Sequence, residues 1–152
     1  GQVGISLLEV LISVLIMAVG LLGIAAMQAT ALRNSQGSTE RSQAVILSYS
    51  IVDAMRANRE AAIGGQYNTA GGWMCALPDG GTLAANDRRQ WLQSMRLTIT
   101  GNVADDSVCG RVACTAATGI CIVGVRWDES RAGSTRGVSG SNQHSIQTTV
   151  RM

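Results

Sequence analysis

The 152-residue sequence contains no phenylalanine and no lysine, one proline and one histidine. Most of these absences narrow the function. Without lysine there is no phosphate-binding GxxxxGK[ST] loop, and neither GxSxG nor HExxH occurs. The single histidine, His144, excludes a multi-histidine metal site within this chain, and its polar surroundings mark it as a solvent-exposed residue. Charge is near balance, 12 arginines against 10 acids, whereas nucleic-acid-binding domains carry a strong basic excess. Asp105, Asp106, Asp128 and Glu129 are oxygen donors of the kind calcium uses, but the EF-hand spacing is missing. The glycine pairs at 64–65, 71–72 and 80–81 lack the strand-glycine-helix setting of a nucleotide site and read as loop. No catalytic residue, metal or cofactor is expected, and the chain reads as a non-enzyme.

Charge is scarcest at the N-terminal end. From Ile5 to Leu32 the only ionisable side chain is Glu9, and the first basic residue is Arg33. The 23 residues Val10–Leu32 are interrupted only by mild polar groups such as Ser13, Gln28 and Thr30. As a helix they span about 34 Å, enough for a bilayer's hydrocarbon core. The remainder reads as soluble protein, so one membrane span with one soluble head is the expected topology. An ordinary signal peptide does not fit, because no basic residue precedes the run and the run is too long. Residue 1 is glycine, which leads to the expectation of an upstream piece removed or omitted.

No proline occurs before Pro78, so nothing forces the helix to stop near Arg33. Leu47, Ile51, Ala54 and Met55 fall at helical spacing, and Val45, Tyr49 and Val52 widen the apolar face. Gly37 is a possible bend. Unbroken, residues 5–60 would measure about 84 Å. Within the span, Gly20 and Gly23 fit either close helix packing or a weak point where the helix can extend.

Residues 61–86 are glycine-rich and read as a long irregular connection, in which Tyr67 and Trp73 fill the core or anchor another subunit. Asn86-Asp87 is a candidate cap for a short helix carrying Trp91, Leu92 and Met95. Strand patterns follow at 96–100, at 108–115 with 120–127 as a hairpin around 116–119, and at 145–151; residues 128–143 read as a surface loop. Cys75, Cys109, Cys114 and Cys121 match neither a zinc ribbon nor a CxxC pair. An even number beyond a membrane anchor predicts disulfides in an oxidising compartment, with buried free thiols as the alternative. Three pairings are open; a closed hairpin would set Cys114 opposite Cys121.

An acid at the edge of a membrane span is costly unless paired. Glu9 is explained either by the positive end of the helix dipole or by a partner charge. Gly4-Ile5-Ser6-Leu7-Leu8-Glu9 resembles the processing site of type IV pilins. The resemblance implies cleavage after Gly4 by a prepilin peptidase, methylation of the new amino group on Ile5, and pairing of Glu9 with a neighbouring subunit's amino terminus during assembly. Ile5 departs from the usual phenylalanine and Ser6 from the common threonine. Ile51–Arg59 (Ile-Val-Asp-Ala-Met-Arg-Ala-Asn-Arg) is similar to a stretch of V-type minor pilins, with Ala54 where arginine is frequent. Asp87–Leu92 and Arg126-Trp127-Asp128-Glu129 resemble patterns of the same group. Asp53 and Arg56 also make an ordinary surface pair, and Arg126–Arg131 an ordinary strand end.

The implied fold is α+β, the type IV pilin fold: a long N-terminal helix, half transmembrane and half packed on an antiparallel sheet, with a disulfide-containing C-terminal head. The implied divisions are a leader remnant at 1–4, a transmembrane or filament-core half at 5–32, an amphipathic half at 33–60 and a periplasmic head at 61–152. The implied function is a minor pilin that primes or joins pilus assembly, with other minor pilins, the major pilin and a tip adhesin as partners. Its place would be the bacterial inner membrane, then the pilus on the cell surface. A minor pseudopilin of a type II secretion system shares the same first helix. A DNA-binding competence pilin would need an arginine cluster such as Arg126, Arg131 and Arg136, diluted here by Asp128 and Glu129; no nucleic-acid partner is expected. A membrane-anchored periplasmic enzyme is disfavoured by the missing catalytic groups.

Overall fold

The structure, a computed structural model, describes Gly4 and residues 6–70, 72–128 and 143–152. The element order is α1 (Leu7–Ala57), α2 (Arg59–Ile63), α3 (Leu83–Thr100), β1 (Cys109–Thr115), β2 (Ile120–Asp128) and β3 (Gln143–Arg151). Two compact units divide the chain, Gly1–Gln36 and Gly37–Met152.

In the first unit α1 joins no core among the described residues. Its apolar side chains from Leu7 to Leu32 are exposed, Leu7 at 82% and Leu22 at 71%. It is long and apolar enough to cross a membrane, and the window that qualifies is unburied. A continuous exposed apolar wall of this kind marks a surface that lipid or protein can cover.

In the second unit α1 buries Ala44, Leu47, Ser48, Ile51, Val52 and Met55. Their steps of three, one, three, one and three define a stripe one face wide. The stripe is narrower than the sequence suggested: Val45 and Tyr49 stay 42% and 48% exposed. Gly37 lies within α1, and the helix ends at Ala57 instead of 60 because Asn58 leaves helical geometry at φ −122°, ψ 54°. The five residues of α2 follow, and Gly65 turns the chain at φ 79°.

Helix α3 is longer than the pattern predicted and replaces a predicted strand. Thr82, not Asn86, caps it, accepting a hydrogen bond from the Ala85 amide at 3.2 Å. The alternation read at 96–100 as a strand is the last turn of this helix. A strand would place Leu97 and Ile99 on one face, but Ile99 is buried while Leu97 is 58% exposed. Ile99 lies one helical turn beyond Met95 and continues the stripe of Trp91, Leu92 and Met95. Gly101, in the left-handed region at φ 71°, terminates the helix by donating to the Leu97 carbonyl.

The sheet is antiparallel in the order β1-β2-β3. Its inner face carries Val112 from β1, Cys121, Val123, Val125 and Trp127 from β2, and Ile146 and Val150 from β3, which join α1 and α3 in one core. The Trp91 indole donates to the Leu47 carbonyl at 2.8 Å and ties α3 to α1. Gly110 makes this possible, since a Cβ there would fall 2.4 Å from Cζ3 of Trp91.

Both disulfides are formed. Cys114 faces Cys121 across the hairpin with Cα atoms 4.0 Å apart, and Cys75 joins Cys109, tying the 64–82 connection to β1. These facts establish an α+β chain: a long apolar N-terminal helix, a small antiparallel sheet and two disulfides in the C-terminal region.

Candidate functional site

The first turn of α1 begins at Ser6, whose carbonyl accepts from the amides of Glu9 at 3.0 Å and Val10 at 3.3 Å. Glu9 therefore sits where unsatisfied amides and the helix dipole favour an anion. Its side chain is exposed on a helix whose neighbouring positions Leu8, Leu11 and Ile12 are exposed and apolar. Ser13 occupies its own hydroxyl by donating to the Glu9 carbonyl at 2.7 Å. The arrangement is one exposed carboxyl group in an apolar wall. Gly4 is exposed, with open space where a side chain would be; Ile5 and residues 1–3 lie outside the described residues. Gly20 and Gly23 remain helical, and a Cβ on either would meet nothing. Whatever their small size serves, no packing among the described residues uses it.

Several polar side chains of the C-terminal unit engage one another or the sheet. Arg56 pairs with Asp53 at 3.1 Å on the exposed surface. Arg126 lies 5.1 Å from the centre of the Trp73 ring and donates to the sulfurs of Cys75 and Cys109, both at 3.4 Å. Its guanidinium is thus engaged with the head's own outer sheet face. Glu129, Arg131 and Arg136 lie outside the described residues. Tyr67 is buried and Trp73 half-buried, so both belong to the head's packing. His144 is half-buried, not solvent-exposed, because it lies on the inner face of β3 with its ring 6.2 Å from that of Trp127. Among the described residues no three His, Cys, Asp or Glu side chains come together as a metal site.

Three polar devices had no sequence signal beyond their residue types. Arg96 is buried on α3 and donates to the carbonyls of Val103, at 2.9 Å, and Cys75. Tyr67 donates to Asp87 at 2.5 Å. Burial first, and this hydrogen bond second, hold the Tyr67 phenol above its ordinary value of 10.0. Asn68 receives the Cys114 amide at 2.6 Å and donates to the Cys114 carbonyl at 3.1 Å, copying a strand's backbone. Between α1 and α3 a shallow groove is lined by Ser50, Ala54, Asp87, Gln90 and Ser94.

Comparison with protein-family models, curated proteins and solved structures finds no match.

Proposed function

We propose that this chain is a minor pilin, held in the bacterial inner membrane by α1 before assembly and carried to the cell surface as part of a type IV pilus. The observation that supports this most is the division of labour within α1. One part exposes an apolar wall in which Glu9 is the only ionisable group before Arg33. The other buries a one-face stripe in an α+β head braced by two disulfides.

In lipid, a carboxylate near the helix start is costly alone and stabilised by a cation brought beside it. A processed subunit's amino terminus supplies that cation, provided prepilin peptidase cuts between Gly4 and Ile5. Glu9 then pulls the subunit into the filament while its apolar wall exchanges lipid for neighbouring helices. Other minor pilins, the major pilin and a tip adhesin are the partners of this role. Engagement of Arg126 with Trp73 and the two sulfurs leaves it poorly placed to recruit DNA.

The test is Glu9→Ala in the native host. Processing should survive while incorporation into pili falls at least ten-fold, the order expected for losing a charge pair worth more than about 1.4 kcal/mol. Normal piliation in that strain would sink the pairing role.

A further inference from the structure

The two edges of the sheet are treated differently. In an antiparallel ladder a residue's N–H and C=O point to the same side, and successive residues alternate. On β1 the outward residues are Gly110, Val112 and Cys114, and all six of their backbone groups are occupied. Gly110 exchanges both bonds with Met74, at 2.7 and 3.0 Å. Val112 accepts from the Thr69 amide at 2.8 Å and donates to the Thr69 hydroxyl at 3.2 Å. Cys114 makes both bonds to the Asn68 side chain. The connection from Asn68 to Met74 closes this edge with three different chemical groups.

The opposite edge, β3, has no such cover among the described residues. The Met152 amide donates to Gly119 on the β2 side, so by alternation Val150, Thr148 and Ile146 also face β2. Ser145, Gln147, Thr149 and Arg151 then aim their backbone groups away from the sheet. Folded proteins commonly blunt such an edge with charge, proline, a bulge or short length. This one is nine residues long, pairs one-to-one with β2 without a bulge, and lacks proline; Arg151 is its only permanent charge.

We propose that β3 is a docking edge that takes an extended segment of a partner protein as a fourth strand. The edge specifies its occupant. Alternating N–H and C=O groups call for an extended backbone. Partner residues opposite Ile146, Thr148 and Val150 would extend the inner face and should be apolar or β-branched. Those opposite Ser145, Gln147 and Thr149 lie on the outer face and should be polar, with an acid opposite Arg151. A second copy of β3 running antiparallel about Thr148 would set serine, not an acid, opposite Arg151, so a different chain is favoured. The inference rests on the sheet alone and stands apart from the pilus reading.

The probe is a synthetic nine-residue peptide, Glu-Val-Thr-Val-Thr-Ile-Thr-Val-Thr, added to the full chain in detergent micelles and read by amide hydrogen exchange. In the free protein the amides of Ser145, Gln147 and Thr149 should exchange at least about ten-fold faster than those of Ile146, Thr148 and Val150. The peptide should slow the first set about ten-fold or more and leave the second unchanged. Gln147→Pro removes an outward N–H without touching the ladder to β2, so it should abolish the effect at unchanged thermal stability. If that variant does not fold, the same peptide N-methylated at its pairing amides serves instead and should give no protection. Three results would overturn the proposal: outward amides already slow in the free protein, no slowing by the peptide, or a dimer in sedimentation that Gln147→Pro disperses.

Discussion

Gly110→Ala tests the packing of the head at its tightest point. An added Cβ would lie 2.4 Å from Cζ3 and 2.7 Å from Cη2 of Trp91, and 3.0 Å from Cε of Met95. Trp91 is held in place, since it is buried and its indole is bonded to Leu47. Overpacking of a closed core costs about 1–3 kcal/mol, and forfeiting the indole bond adds about 1 kcal/mol. The expected total is about 2–4 kcal/mol. Gly124→Ala is the matched control: its Cβ would meet Trp73 at 3.0 Å, but that ring is half-buried and can shift. It should cost under about 1 kcal/mol. Urea unfolding of the full chain in detergent, followed by far-UV circular dichroism, reads both variants. Equal midpoints for the two would refute the claim that Gly110 exists to admit Trp91.

The disulfides differ in the loops they close, with sequence separations of 34 for Cys75–Cys109 and 7 for Cys114–Cys121. On chain entropy, replacing the first pair by serine should cost about 4 kcal/mol and the second about 2 kcal/mol; urea midpoints in the reverse order would contradict this. For Tyr67 the raised phenol means that its stabilisation is complete below the unfolded value near 10 and is lost as pH rises through the higher folded value. Stability should therefore decline above about pH 10, and Tyr67→Phe should flatten that decline while costing about 1.5–3 kcal/mol at neutral pH, because Asp87 loses its donor. An unchanged alkaline profile in the variant would assign the decline elsewhere.

How far the sequence disclosed the fold varied with the kind of signal. The apolar run before Arg33, the hairpin at 109–128 and the last strand have strong periodicity or clear turns, and the structure has all three. The sequence leaves three pairings open, with a closed hairpin only favouring Cys114–Cys121, and Cys75–Cys109 depends on a long connection whose path no local pattern fixes. The error at 96–100 arose because Leu-Thr-Ile alternates like a strand; the side chains that decide, Trp91 and Met95, lie a turn or more away. The breadth of the α1 stripe was overestimated because apolar identity does not say which side meets α3. Of the candidate site, Glu9 stood out by being alone in its segment. Arg96, Asn68 and Tyr67 did not, since each acts on backbone or partners far along the chain.

The claim that α1 is a pilin helix is tested most directly by the intact mass of the protein made in cells with prepilin peptidase. Cleavage between Gly4 and Ile5, with one methyl group on the new amino terminus, is the predicted result. A protein that keeps residues 1–4 in the presence of an active peptidase would contradict it.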